Sequence, residues 1–222
     1  MPNLAPLWLS LKVAATATAL SLTIAVACAW LVARHRFPGR ELLDALFTLP
    51  LVLPPTVLGY YLIVLWGRNG WLGAFFHQHL GLSLMFTWQG AVLAASVVSF
   101  PLLFKSARAA FEGVSPEYEQ AARSLGDHEL AVFWRITLPL AGRGLLAGVM
   151  LAFARAMGDF GATLMVAGNI EGRTQTASMA VFDAVTAGDY TLANTLVAIM
   201  SLTCVIILVM TNKLVAQRGL GR

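Results

Sequence analysis

Charge is scarce in this sequence. Only 12% of its 222 side chains are Asp, Glu, Lys or Arg, against roughly 25% in soluble domains. With 58% hydrophobic residues as well, a soluble globular domain is excluded and an integral membrane protein is implied. Cysteine is nearly absent. Cys28 and Cys204 both lie inside apolar runs, so neither a disulfide framework nor a thiolate metal site is expected. The four histidines, His35, His77, His79 and His128, are scattered without ligand spacing, so no metal centre is expected from them. No glycine-rich phosphate loop of the GxxxxGK type occurs, so the chain is not expected to hydrolyse ATP by itself. Nor do the apolar runs hold a nucleophile–base pair, which argues against an intramembrane enzyme. The net charge of +4 would suggest nucleic acid in a soluble protein; in a membrane protein its meaning lies in where the basic residues fall.

Long apolar runs are what the chain does have. Stretches 13–33, 45–67, 80–104 and 191–212 meet the requirement of about 20 largely apolar residues for a spanning helix. A fifth, 144–168, is apolar apart from Arg155 and Asp159. These predict an all-α, polytopic membrane helical bundle of about five spans, with a sixth only if 177–185 also crosses. The first run is too long for a signal-peptide core and has no basic segment before it, and Arg34, Arg36 and Arg40 follow it. It is therefore read as a retained span. Segments 34–44, 105–143 and 213–222 carry eleven Lys and Arg, against three (Lys12, Arg68, Arg173) in the alternate segments. The positive-inside rule then predicts the N-terminus outside and the C-terminus cytoplasmic. Trp8, Trp66, Trp71, Trp88 and Trp134 fall mostly near span ends, as an interfacial belt requires.

A polar segment, EYEQAARSLGDHELAVFWRITLP (117–139), interrupts the apolar pattern within the 105–143 loop, which this orientation makes cytoplasmic. Ser115-Pro116-Glu117 supplies a capping hydroxyl, a proline at the first helical position and an acid in the first turn. Ala121, Ala122 and Leu125 fall on one face, and Gly126 stands where a helix often ends in a left-handed residue. The spacing predicts a short helix over 115–126. A second short helix follows, capped by Asp127, with Leu130, Phe133, Trp134 and Ile136 as its apolar positions and Pro139 beyond its end. Periodicity alone fits a loop helix packing back on its own bundle. The small Ala121–Ala122 face beside a glycine turn suits the close approach of another surface.

Ala121-Ala122-x-x-x-Gly126, then nine residues, then Ile136-x-Leu138-Pro139 resembles the EAA loop of ABC-importer permeases. The resemblance implies a coupling helix that fits a cleft on a separate cytoplasmic ATPase subunit, with Glu119, Gln120, Ala121, Ala122, Arg123, Ser124, Leu125 and Gly126 as the coupling residues. The family's Glu directly before the two alanines is Gln120 here, with Glu119 one position earlier. A second run, Phe153-Ala154-Arg155-Ala156-Met157-Gly158-Asp159-Phe160-Gly161-Ala162-Thr163 followed by Gly168-Asn169-Ile170-x-Gly172-Arg173-Thr174-Gln175-Thr176, is similar to permeases for tetrahedral oxyanions. The wording is nearest to molybdate permeases, whose acidic position is more often Glu than Asp. Arg36-Phe37-Pro38-Gly39-Arg40 and Leu49-Pro50-Leu51-Val52-Leu53-Pro54-Pro55 resemble the same family. The resemblance covers nearly the whole chain; tungstate and sulfate permeases share parts of it.

Arg155 and Asp159, four apart, are able to pair on one helix face. Ionisable groups at membrane depth usually face the bundle interior or a water-filled path, so the pair either lines or gates a pathway or fixes helix packing. Pro50, Pro54 and Pro55 must interrupt the hydrogen-bond ladder of the second span. They fit a broken helix lining a transport path as well as they fit a packing kink. Gly144-x-x-x-Gly148 offers a small face for close helix contact.

The implied whole is the membrane subunit of an ATP-driven importer in the bacterial or archaeal inner membrane, moving molybdate by alternating access. The chain would bind no cofactor of its own, with ATP and Mg on the partner ATPase. Partners would be a second copy of itself, two ATPase subunits, a periplasmic molybdate-binding protein and the lipid bilayer, with no nucleic acid. An ion-gradient-driven secondary transporter is the reading from another class. It would need proton- or sodium-coupling carboxylates within the spans, where only Asp159 lies, beside an arginine.

Overall fold

The computed structural model describes residues 4–81 and 83–217. Arg218 and Arg222, counted above in the C-terminal charge, lie outside the described residues. Among those described, all regular structure is helical: α1 Ala5–Arg34, α2 Arg40–Val52, α3 Pro55–Trp66, α4 Trp71–Leu80, α5 Trp88–Glu112, α6 Pro116–Ser124, α7 Glu129–Val132, a π turn Phe133–Thr137, α8 Leu138–Met157, α9 Gly161–Ala167, α10 Ala177–Thr186 and α11 Tyr190–Gln217.

The centre is formed by α1, α5 and α8. In lipid the hydrophobic effect does not drive apolar helices together, so close contact through small side chains must do so. The facing residues fit that requirement: Ala14, Ala17, Ala25 and Ala29 of α1 and Ala91, Ala94, Ala95 and Ala107 of α5 are buried. Gly144 and Gly148 bring α8 so near that a Cβ on either would stand 2.6 Å from the Cβ of Ala110 or Ser106. Buried hydroxyls find backbone partners across the same seam. Ser21 donates to the Ser96 carbonyl (3.2 Å), and Ser96 donates to that of Ala17 (3.4 Å). Larger residues, Phe104, Phe111 and Leu103, fill the core toward the end that carries Arg34.

Among the described residues four helices are long and apolar enough to cross a membrane, and α2 with α3, a pair bent by 116°, adds a fifth only where the two count as one broken span and not as a re-entrant loop. Three of the five expected spans differ in the structure. The 45–67 stretch is not one helix. Leu53 and Pro54 are extended (ψ 141° and 138°), because each precedes a proline whose ring disfavours the helical conformation before it. The third span starts at Trp88 rather than at 80, after Gly81 closes α4 in a left-handed conformation (φ 63°) and Thr87 caps α5 by accepting from Gly90 N–H (3.2 Å). It also runs on to Glu112, so Lys105 and Arg108 belong to the helix and not to a loop. The 144–168 stretch is displaced: the span covers Glu129–Met157 and stops at Gly158.

The second short helix before Pro139 is not separate. α7, the π turn and α8 are continuous, and Pro139 sits in the first turn of α8. The π turn, where Leu138 N–H reaches Phe133 O, inserts one residue before a proline that cannot donate, which lets the helix pass through it. Nor does Asp127 cap α7. His128 occupies that position without a side-chain bond, while Asp127 pairs with Arg135 (3.4 Å). The segment between the two spans is consequently 113–128, shorter than the expected 105–143 loop. α10 is ten residues, about 15 Å of helix, and is too short to make a sixth span.

Candidate functional site: the short helix and the broken spans

α6 closes at both ends as its sequence predicts. Ser115 accepts from Glu117 N–H (3.4 Å). At the other end Gly126 N–H bonds Arg123 O (3.0 Å) and Asp127 N–H bonds Ala122 O (3.2 Å), the paired 5→2 and 6→1 bonds of a Schellman turn with Gly126 at φ +94°. Only two of its residues are buried, Glu119 and Ala122. The Glu119 carboxylate is held by Arg34 of α1 (2.7 Å), the Thr137 hydroxyl in the π turn (2.7 Å) and Arg123 (3.6 Å). Arg34 also donates to Val114 O (3.3 Å). One acid therefore fixes α6 to both neighbouring spans.

That inward anchor splits the expected docking face. Ala122 turns in with Glu119, whereas Gln120, Ala121, Arg123, Ser124 and Gly126 are exposed and Leu125 projects at 88% exposure. Tyr118, Leu130 and Trp134 are exposed beside it. Arg123 grips Glu129 with two bonds (2.6 and 3.1 Å), which braces the turn, and the bonded Glu129 carboxylate holds the Arg123 guanidinium above the usual arginine range. The result is a small, rigid knob with a polar and aliphatic outer face.

Pro50 and the other two prolines part company. Pro50 stays inside α2 and lines an apolar cleft of about 230 Å³ with Ser21 and Phe100. Pro54 and Pro55 mark the break, and there the second span meets the end of α8. A Cβ on Gly161 would lie 3.1 Å from Pro55, and one on Gly59 would lie 2.6 Å from the Cβ of Met165, so α3 and α9 pack nearly backbone to backbone. Arg155 is seven residues, about 10 Å, beyond the Gly148 contact with α5, and α2 climbs about 20 Å before it breaks.

Arg155 and Asp159 pair at this junction, but not along one helix face, since α8 ends at Met157. Asp159 is in the break. Its Oδ2 accepts from the Thr163 N–H (2.9 Å) and hydroxyl (2.6 Å), capping α9. Its Oδ1 is buried without a hydrogen bond and faces Arg155 at 3.6 Å. After α9, Asn169 donates twice to Asp183 (2.8 and 2.7 Å) and Gln175 once (2.8 Å), which pins the 168–176 loop onto α10. No group of three or more His, Cys, Asp or Glu side chains placed to hold a metal occurs among the described residues.

Residues 10–218 match the model of the binding-protein-dependent transport system inner membrane component. The chain belongs to that family. Its sequence is 46% identical over 181 residues to the molybdenum transport system permease protein ModB of Escherichia coli K12, spanning 82% of this chain and 79% of that one. It is 37% identical over 191 residues to the sulfate transport system permease protein CysT of Salmonella typhimurium, spanning 86% and 69%. The fold is similar to a chain in the inward-facing MetNI methionine ABC transporter, with a TM-score of 0.76 and 16% identity over 100% of this chain and 97% of that one. As a component of this family the protein is a multi-pass inner-membrane protein of a binding-protein-dependent transport system.

Sequence reasoning about this inner membrane component found the knob and the Arg155–Asp159 pair, and missed their supports. In the sequence Arg34 reads only as a topological charge and Thr137 carries no signal, yet together they hold Glu119. Asp44, Lys105, Arg108, Arg40 and Glu112 form an ionic ladder joining α2 to α5, including Lys105–Asp44 (2.7 Å) and Arg108–Glu112 (2.8 Å). The i, i+4 spacing of Arg108 and Glu112 was the one local signal for it. The other pairs are more than sixty residues apart in sequence.

Proposed function

We propose that this chain is the membrane-spanning permease of an ATP-driven importer that carries molybdate into the cytoplasm. The observation that carries the reading is the 46% identity to a molybdenum permease over four-fifths of the chain. The loop end, with α6, would face the cytoplasm, as the distribution of Lys and Arg requires. Two copies would enclose the path, and each would present its α6 knob to one of two ATPase subunits that bind ATP and Mg. A periplasmic binding protein would deliver the anion to the opposite face. Closure of the ATPase pair on ATP would draw the knobs together and turn the bundles outward, and hydrolysis would reset them. The chain itself is a conduit and not a catalyst.

The lever suits this task mechanically. α6 is tied through Glu119 to the last turn of α1 and to the π turn that leads into α8. Any push on the knob is delivered to two of the three central helices. The test is uptake of labelled molybdate into proteoliposomes holding the permease, its ATPase and loaded binding protein, with ATP inside the lumen where the ATPase faces it. Uptake that persists when an uncoupler collapses the ion gradient and stops without the ATPase supports the reading. Uptake abolished by the uncoupler at constant ATP rejects it in favour of a gradient-driven carrier.

Sulfate is the second substrate reading, favoured by the 37% identity to a sulfate permease; tungstate shares the tetrahedral geometry. ATPase stimulation of the reconstituted complex by binding protein loaded with each anion in turn separates them.

A further inference from the structure

The pair Arg155–Asp159 joins the end of α8 to the start of α9 among largely uncharged helices. Residues 13–33, 45–67, 88–104, 160–170 and 190–212 lack Asp, Glu, Lys and Arg entirely, and on α10, whose Phe182 meets Phe160 (5.2 Å), the Asp183 carboxylate is taken up by Asn169 and Gln175. The two members are nonetheless unequally placed. The Asp159 side chain is 1% exposed and fixed by its bonds to Thr163, while the Arg155 side chain is 31% exposed. They are also incompletely joined, because 3.6 Å is too long for a hydrogen bond and Asp159 Oδ1 has no other partner. An arginine partly open to its surroundings in an uncharged layer is tolerated where it meets water or another polar surface.

We infer that Asp159 is a built-in counter-anion for Arg155, which a transported tetrahedral dianion displaces in passing. This rests on the reading of the chain as an oxyanion importer and deepens it by naming the contact within the path. A bare guanidinium there would hold a divalent anion strongly and impede its exit. A fully bonded carboxylate partner would exclude the anion. A rigid carboxylate at 3.6 Å does neither: it neutralises Arg155 when the path is empty, yet with no direct hydrogen bond to break the guanidinium can turn toward a passing anion and back. Asp159 is thus a positioning residue, and its second oxygen keeps it from following Arg155 by anchoring it to α9.

The test is binding of labelled molybdate and of labelled sulfate to the full-length chain in nanodiscs, without nucleotide or binding protein. Asp159→Asn removes the charge but keeps a carbonyl for the Thr163 bonds. It should bind both anions at least about tenfold more tightly than wild type, while Arg155→Gln and the double variant should bind neither. In proteoliposomes with the ATPase, Asp159→Asn should lower KM and the maximal rate together, as slow release requires. If Asp159→Asn does not remain monodisperse, Asp159→Ser, whose hydroxyl can still take the Thr163 N–H bond, supplies the same comparison. Binding by Asp159→Asn no tighter than wild type overturns the inference, and so does tight binding that survives in the double variant. Either result with wild-type uptake intact leaves the import reading standing; failure of wild-type uptake defeats that reading instead.

Discussion

Replacing Glu119 by alanine should detach α6 from the bundle without unfolding it. The carboxylate is 5% exposed and its partner Arg34 15% exposed, and they meet at 2.7 Å. Removing one member of such a pair strands the other and costs about 3–5 kcal/mol. α6 has little with which to offset that loss. It is nine residues long and buries one other residue, Ala122, and helices that short do not persist in isolation. At 1.36 kcal/mol per tenfold, about 3 kcal/mol corresponds to a rise of more than about a hundredfold in the population of detached α6. Hydrogen exchange of the permease in nanodiscs should therefore show amides of 117–125 losing about two orders of magnitude of protection, with those of α5 unchanged. In the reconstituted complex ATP hydrolysis should continue while uptake falls. Arg34→Ala should reproduce the effect, and the double variant should be no worse than either single change. Unchanged exchange in α6, or equal loss throughout the bundle, would refute the assignment of Glu119 as a local anchor.

Other consequences are equally open to measurement. Leu125→Asp, at a site 88% exposed, should leave thermal stability within about 0.5 kcal/mol yet reduce ATP-driven uptake more than tenfold; normal uptake would remove Leu125 from the docking surface. Gly126→Val meets no neighbouring atom but must adopt φ +94°, costing about 1–2 kcal/mol, and faster exchange should be confined to 124–128. Gly59→Leu, forced against Met165, should lower the melting temperature of the detergent-solubilised protein, whereas Gly142→Ala, with open space around it, should not. Exchanging the charges of Arg155 and Asp159 should fail to restore uptake, because an arginine at 159 cannot accept the two Thr163 bonds; rescue by the swap would show that simple pairing is all that matters.

The structure revises the sequence reading at particular residues. Pro54-Pro55 announced a break, and a break is there, because two consecutive prolines constrain the residues before them whatever surrounds the chain. Pro139 misled: by local rules it ends a helix, yet the π turn before it absorbs the lost bond and the span continues. The alanine pair misled in another way. Ala121 and Ala122 look equivalent in sequence, but burial of Glu119 rotates α6 so that one faces out and the other in. Spans at 80–104 and 144–168 were displaced because apolar composition does not record where a glycine turn or a buried carboxylate interrupts a helix.

Composition, run length and the placement of glycine and proline determined a great deal by themselves: a multi-pass membrane protein, a break in the second apolar run, a short capped helix in the polar segment, and the Arg155–Asp159 ion pair. These follow from the cost of charge in lipid and from backbone preferences that act within a few residues. What only the tertiary structure decided is how those parts meet. Glu119 reaches Arg34 across 85 residues of chain, and Gly161 seats against Pro55 across 106. Asp159 divides its two oxygens between α9 and Arg155 at a break that no periodicity marks. Such contacts depend on which helix faces come together, and close packing in the bilayer fixes that globally.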